Sequence, residues 1–143
     1  MTTNTQLIPL AGLLSTIGIA AYMVVLNGQA IATTGDFTNA ATAEVRDAQG
    51  QVVLRGQFAV APDEEAEDDV ERKAILTPAG ADADASGEAE IEFAKATPAA
   101  QELEFSVANL APNSTFTFVI DGTDVATATT DARGRAETEW DVR

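Results

Sequence analysis

The chain has 143 residues, with 23 acidic and 8 basic side chains, a net charge of −15, and neither cysteine nor histidine. That length suits one ordinary domain. The charge excludes a nucleic-acid partner, which needs clustered Lys and Arg. The missing residues exclude disulfides, thiolate catalysis and the commonest general base and transition-metal ligand.

No charged side chain precedes Asp36. Within that stretch Leu7 to Leu26 is apolar almost throughout, with no polar face at helical period. Twenty residues at about 1.5 Å each make roughly 30 Å, the thickness of bilayer hydrocarbon. The run is therefore expected to be a membrane helix, with Leu7, Leu10, Leu13, Leu14, Ile17, Ile19, Tyr22, Val24 and Leu26 facing lipid. Residues 1–32 read either as a retained anchor or as a signal peptide. The triplet Ala30-Ile31-Ala32 marks a cleavage site after Ala32, whereas the leader MTTNTQ lacks the basic residue of a usual signal. The positive-inside rule says little, because neither flank is basic. Residues 33–40 follow as a linker, and 41–143 as an acidic domain outside the cytoplasm.

The acidic part alternates with period 2. Ala89, Ile91 and Phe93 interleave with Glu88, Glu90 and Glu92, and Leu103, Phe105 and Val107 with Glu102, Glu104 and Ser106. Phe116, Phe118 and Ile120 share one face. Ala136, Thr138, Trp140 and Val142 alternate with Arg135, Glu137, Glu139 and Asp141. This is the mark of half-buried antiparallel strands. Strands are predicted near 41–46, 51–61, 70–77, 87–94, 101–108, 115–120, 124–130 and 135–142. The connections agree: Asp47–Gly50 and Asp131–Gly134 share the form D-A-x-G of a bulged hairpin, and Asp121-Gly122 signals a two-residue hairpin. The expected fold is all-β, an antiparallel sandwich or small barrel of seven or eight strands behind one N-terminal hydrophobic helix.

Asn109-Leu110-Ala111-Pro112-Asn113 leading into Phe116–Ile120, then Asp121-Gly122 and Asp131–Gly134, resembles the immunoglobulin-like β-sandwich domains of bacterial surface and secreted proteins. The likeness covers about residues 86–143 and implies an Ig-like sandwich. The Cys–Trp–Cys pattern of antibody-type domains is absent, so no functional residue carries over.

Three features bear on function. The run Asp63, Glu64, Glu65, Glu67, Asp68, Asp69 is dense in hard oxygen ligands that suit Ca²⁺, and Asp82 and Asp84 offer a second acidic loop. The first run lacks the spaced D-x-D-x-D-G arrangement that wraps one ion. Calcium is the only cofactor these residues suggest. If 87–94 pairs with 101–108, Glu88, Glu90, Glu92, Glu102 and Glu104 lie on one sheet face. Like charges opposite each other repel, and Arg133 and Arg135, bound cations, salt or a basic partner are the expected compensation. Ser and Thr have no histidine to activate them, and no phosphate loop occurs. The expected function is therefore a non-enzymatic envelope protein, membrane-anchored or secreted, whose acidic face or 62–71 loop, with Glu71 at its end, meets a basic protein or cation. A pilus-like filament subunit, with a helix core and β-domain shell, is the alternative and implies homo-oligomers. In outline it resembles archaeal pilins, without their basic processing motif. A calcium-dependent adhesion module is a third.

Overall fold

The computed structural model describes residues 23–26, 28–60 and 68–143. Ten strands lie among them: β1 Met23–Leu26, β2 Gly28–Ala30, β3 Thr42–Arg46, β4 Val52–Val60, β5 Asp69–Pro78, β6 Ser86–Ala94, β7 Thr97–Ala108, β8 Thr115–Ile120, β9 Thr123–Thr129 and β10 Ala136–Val142. The last eight match the strands expected from periodicity to within a residue or two, except that β7 starts four residues early.

The two D-A-x-G turns fold alike. Gly50 N donates to Asp47 O and Gly134 N to Asp131 O, while each aspartate Oδ1 accepts two further backbone N–H groups. Gly50 and Gly134 stand at φ 81° and 77°, where a side chain is costly. In the β8–β9 hairpin Asp121 and Gly122 both have positive φ, as a type I′ turn requires. The Asp121 carboxylate also accepts from the Ala41 and Thr42 amides, binding the hairpin to the start of β3.

All pairings are antiparallel, in the order β1-β10-β7-β6-β5-β4-β3-β8-β9-β2. The strands at the two ends, β1 and β2, are separated in sequence by Asn27 alone. One stretch of chain thus pairs with β10 through its first part and with β9 through its second. The sheet curls on itself into a nearly closed barrel, where the sequence suggested a sandwich or small barrel of seven or eight strands behind a helix. Its interior is filled by the predicted inward residues: Ile91, Leu103, Phe105, Phe118, Trp140 and Val142 are fully buried. Phe105 and Phe118, from opposite walls, stack with centroids 4.6 Å apart and planes 3° from parallel.

Two expectations at the N-terminal side need correcting. Met23–Leu26, placed at the end of the apolar helix, form a strand against Trp140–Glu137. Methionine, two valines and leucine suit a sheet, and the free edge of β10 needs a partner. Val24 and Leu26 therefore belong to β1, while Leu7, Leu10, Leu13, Leu14, Ile17, Ile19 and Tyr22 lie outside the described residues. Among the described residues there is no helix, and so none long and apolar enough to cross a membrane. Residues 33–40, expected as a linker, are fastened to the barrel. Arg143 N donates to Thr33 O, Gln101 Nε2 to Gly35 O, and Phe37 N to Gln101 Oε1 at 2.6 Å. Trp140 Nε1 donates to Ala32 O at 2.9 Å.

Candidate functional site

Inward positions on β5, β6, β7 and β10 are apolar apart from Arg72, Gln101 and Thr138, so alternation turns their other residues to the outer face. The register then sets charge against charge. Glu71, Glu92, Glu102 and Asp141 form one row across the four strands. Lys73, Glu90, Glu104 and Glu139 form the next, and Ile75, Glu88, Ser106 and Glu137 the third. Neighbouring strands lie about 4.8 Å apart. Nine carboxylates and one ammonium therefore share a single patch.

Lys73 answers part of this charge, its Nζ 2.9 Å from Glu90 and 3.7 Å from Glu88. Those contacts raise the Lys73 pKa, the Glu90 hydrogen bond contributing most. Burial pushes the Glu90 carboxyl upward, but hydrogen bonds with Lys73, Glu88 and Glu71 leave it below its ordinary value. Farther from the lysine the balance reverses. Burial, then repulsion from Glu139, Glu92 and Asp141, pushes Glu102 up to about 7. Burial, then Glu139 and Glu90, pushes Glu104 up to about 7 as well. Glu139 is raised by burial and by Glu137, Glu92 and Asp141. Near neutrality this face holds protons that ordinary carboxylates have lost.

At one end of the patch the first row opens into a depression of about 800 Å³, bordered by Asp68, Asp69, Glu71, Glu92, Glu102 and Asp141, with Arg143 on its rim. The Glu71, Glu90 and Glu92 carboxylates come within 4.8 Å of one another, a separation that suits a hard cation. Lys73 already contacts Glu90, so a metal ion there competes with the ammonium.

Pairing of 87–94 with 101–108 occurs as expected, and Glu88, Glu90, Glu92, Glu102 and Glu104 share one face. Of the acidic run, Asp63, Glu64, Glu65 and Glu67 lie outside the described residues, while Asp68 and Asp69 border the depression. Asp82 and Asp84 lie beyond the far end of β5 in their own turn, where Asp84 N donates to Asp82 Oδ1. Ten strand residues span roughly 30 Å, so Asp69 and the second acidic loop do not meet. Nor do Arg133 and Arg135 compensate the face: Arg135 pairs with Asp131 inside its own hairpin, and Arg133 is exposed in that turn.

Sequence reasoning assigned Glu71 to the acidic 62–71 loop rather than to this face, passed over Lys73, and left Glu137, Glu139 and Asp141 unconnected to the other glutamates. A signal existed for the first pair, since Val70, Ala74 and Leu76 alternate and turn Glu71 and Lys73 outward. Which strand flanks β7 on its far side is set by non-local pairing, and nothing in the local pattern names β10.

The fold and face together define an all-β domain with a nearly closed antiparallel barrel and one strongly acidic wall. Comparison with protein families, with curated proteins and with solved structures finds no match in any of the three. The chemistry of the face is therefore argued from its own residues.

Proposed function

We propose that the chain is a non-enzymatic envelope protein, anchored in a membrane or exported across it, whose acidic barrel wall binds a basic protein or other cationic partner. The observation that carries this reading is the register: three adjacent rows place nine carboxylates around one lysine. Such repulsion costs stability in the isolated domain and is relieved when positive charge arrives. A protein under selection for stability alone has no use for this pattern. The finer description as a flattened, Ig-like sandwich is part of the same proposal. It is supported by Phe105 and Phe118 stacking directly between opposite walls and by an N-terminal strand that passes from one sheet edge to the other.

The strand at Met23–Leu26 bears on export. With Met23–Leu26 in a strand, the part of the apolar run that precedes the described residues is Leu7–Tyr22. A cut after Ala32 removes both β1 and β2, so we place any processing site upstream of Met23. The N-terminal residue of the exported protein, read by intact mass, checks this: a species beginning at Thr33 that keeps the native melting transition refutes it.

The binding proposal is tested by calorimetric titration of the full chain with an oligolysine peptide and, separately, with Ca²⁺, against matched NaCl. Saturable oligolysine binding that weakens with salt and falls at least several-fold in a Glu92→Gln, Glu102→Gln variant is expected. Binding unchanged in that variant, or none at low salt, overturns the proposal. Saturable binding of Ca²⁺ alone transfers the function to the adhesion-module reading, with a rise in melting temperature as its signature.

A further inference from the structure

We propose that Asn113 is a glycosylation site, whose side-chain amide takes an oligosaccharide from a lipid-linked diphosphate donor. The inference rests on the export reading above, because such donors are used on the far side of a membrane. It adds a covalent modification that the acidic wall does not imply.

Asn113-Ser114-Thr115 is an N-x-T acceptor triplet with a residue other than proline in the middle. Of the asparagines in the chain, Asn4, Asn27, Asn39, Asn109 and Asn113, the last alone has a hydroxyl residue two positions on. The turn between β7 and β8 supplies a comparison. Asn109 and Asn113 both stand at positive φ, 60° and 52°. Glycine, asparagine and aspartate all suit that conformation. Turn chemistry therefore accounts for either asparagine. Yet Asn109 is followed by Leu110-Ala111, and Asn113 by the hydroxyl that the acceptor chemistry requires.

The fold presents the triplet outward. Asn113 and Thr115 are exposed, and Ser114 is half-buried. Ser114 N donates to Thr130 Oγ1, Thr130 N donates to Ser114 O, and Thr130 Oγ1 donates to Ala111 O at 2.6 Å. Thr130 is itself buried, so it fastens the turn from beneath. Asn113 N donates to Asp131 O at 3.2 Å. These bonds hold the main chain of 111–114 and leave the Asn113 amide to solvent: among the described residues, no group hydrogen-bonds its side chain. Asp121, another non-glycine residue at positive φ, differs, because its carboxylate accepts from the Ala41 and Thr42 amides. A sugar on Asn113 therefore displaces no contact of the fold, and the amide is open to a donor.

The step is a substitution at the anomeric carbon of the sugar. A bond forms from Asn113 Nδ2 to that carbon, the bond from that carbon to the diphosphate oxygen breaks, and the amide proton leaves with the diphosphate. Nothing is oxidised or reduced. The product stays clear of the acidic depression. β7 runs from Gln101, which borders that depression, to Ala108 beside the Asn113 turn, roughly 23 Å along the strand. Glycan and cationic partner thus occupy opposite ends of the barrel.

The test is the mass of the full chain recovered from the membrane, medium and cytosol of the cells that make it, with the peptide spanning residues 113–115 fragmented to locate any added mass. A membrane or medium species heavier than its sequence by whole sugar residues, carried on Asn113, is expected. Asn113→Gly keeps the positive φ and Thr115→Val keeps a strand former, so both variants should fold, and each is expected to lose the added mass. Thr115→Ser restores the hydroxyl and is expected to keep it. A membrane or medium species with unmodified Asn113 overturns the proposal and leaves the export reading standing. Sugar-free chain confined to the cytosol overturns both. Added mass that persists in Asn113→Gly also overturns the assignment.

Discussion

On β3, Glu44 lies between two arginines, with Arg46 Nη2 at 2.6 Å and Arg55 Nε at 3.1 Å. On β7, across the barrel, Glu104 lies between Glu90 and Glu139. Both are outward glutamates on central strands, and both are half-buried. Yet the Arg46 hydrogen bond, with burial opposing and Arg55 assisting, lowers the Glu44 pKa, whereas burial and like charge lift Glu104 to about 7. The surrounding walls follow suit. Around β8 and β9 the outer positions hold threonines, with Thr115 and Thr129 hydroxyls 3.1 Å apart, while β6, β7 and β10 present carboxylates. Burial of a carboxylate pushes its pKa up on either wall; the cross-strand neighbour decides whether that push prevails.

The contrast concerns outer faces, and the core joins them. Phe118 belongs to the neutral wall and Phe105 to the acidic one, and their stacked rings lie between. Phe118→Ala is expected to cost about 3–5 kcal/mol, the usual range for emptying a large aromatic site. Denaturant unfolding checks this, and the two walls should unfold in one transition. Separate transitions would show that the walls are independent units.

The next largest effect is electrostatic and opposite in sign to ordinary acid denaturation. Glu102 and Glu104 bind protons more tightly in the folded chain, near pH 7, than in the unfolded one, near 4.5. Between those values the native state holds more protons, so stability falls as pH rises through the window and stays low above it. Melting temperature is therefore expected to be higher at pH 5.5 than at pH 8 by about 3–6 °C. That corresponds to an effect on the order of 1 kcal/mol after allowance for solvent screening of a half-exposed face. Glu102→Gln with Glu104→Gln should raise the pH 8 value and flatten the slope, and added NaCl should do part of the same. A parent protein that melts higher at pH 8 than at pH 5.5 refutes the assignment.

The acidic wall was legible in part. Ile91, Phe93, Leu103 and Phe105 fix the inner face of β6 and β7, which forces their glutamates outward together. The D-A-x-G and Asp-Gly turns were equally plain, because their chemistry is local. What the sequence could not reveal is non-local. The apolar run up to Leu26 satisfies a helix and a strand alike, and only the open edge of β10 decides that Met23–Leu26 become β1. Asp82 and Asp84 stand apart from Asp69 because the length of β5 lies between them, a separation that acidic composition alone does not encode. Lys73 was overlooked because its meaning depends on Glu90 standing opposite, a fact of register rather than of spacing.

The smallest expected effect returns to Glu44. Its folded pKa lies below the ordinary 4.5, so its contribution is present above that value and is lost as pH falls through the folded pKa. Glu44→Gln should therefore lower stability at pH 7 by about 0.5–1 kcal/mol, the range of partly exposed ion pairs, and the loss should shrink as pH falls through the folded pKa. Glu104→Gln should do the reverse at pH 8 and nothing at pH 4. Both replacements remove one negative charge of the same shape from the outer face of a central strand. If they shift stability in the same direction at neutral pH, then net charge governs the surface and the cross-strand neighbours are incidental. Opposite shifts, each confined to its own pH window, require that the neighbours set the sign.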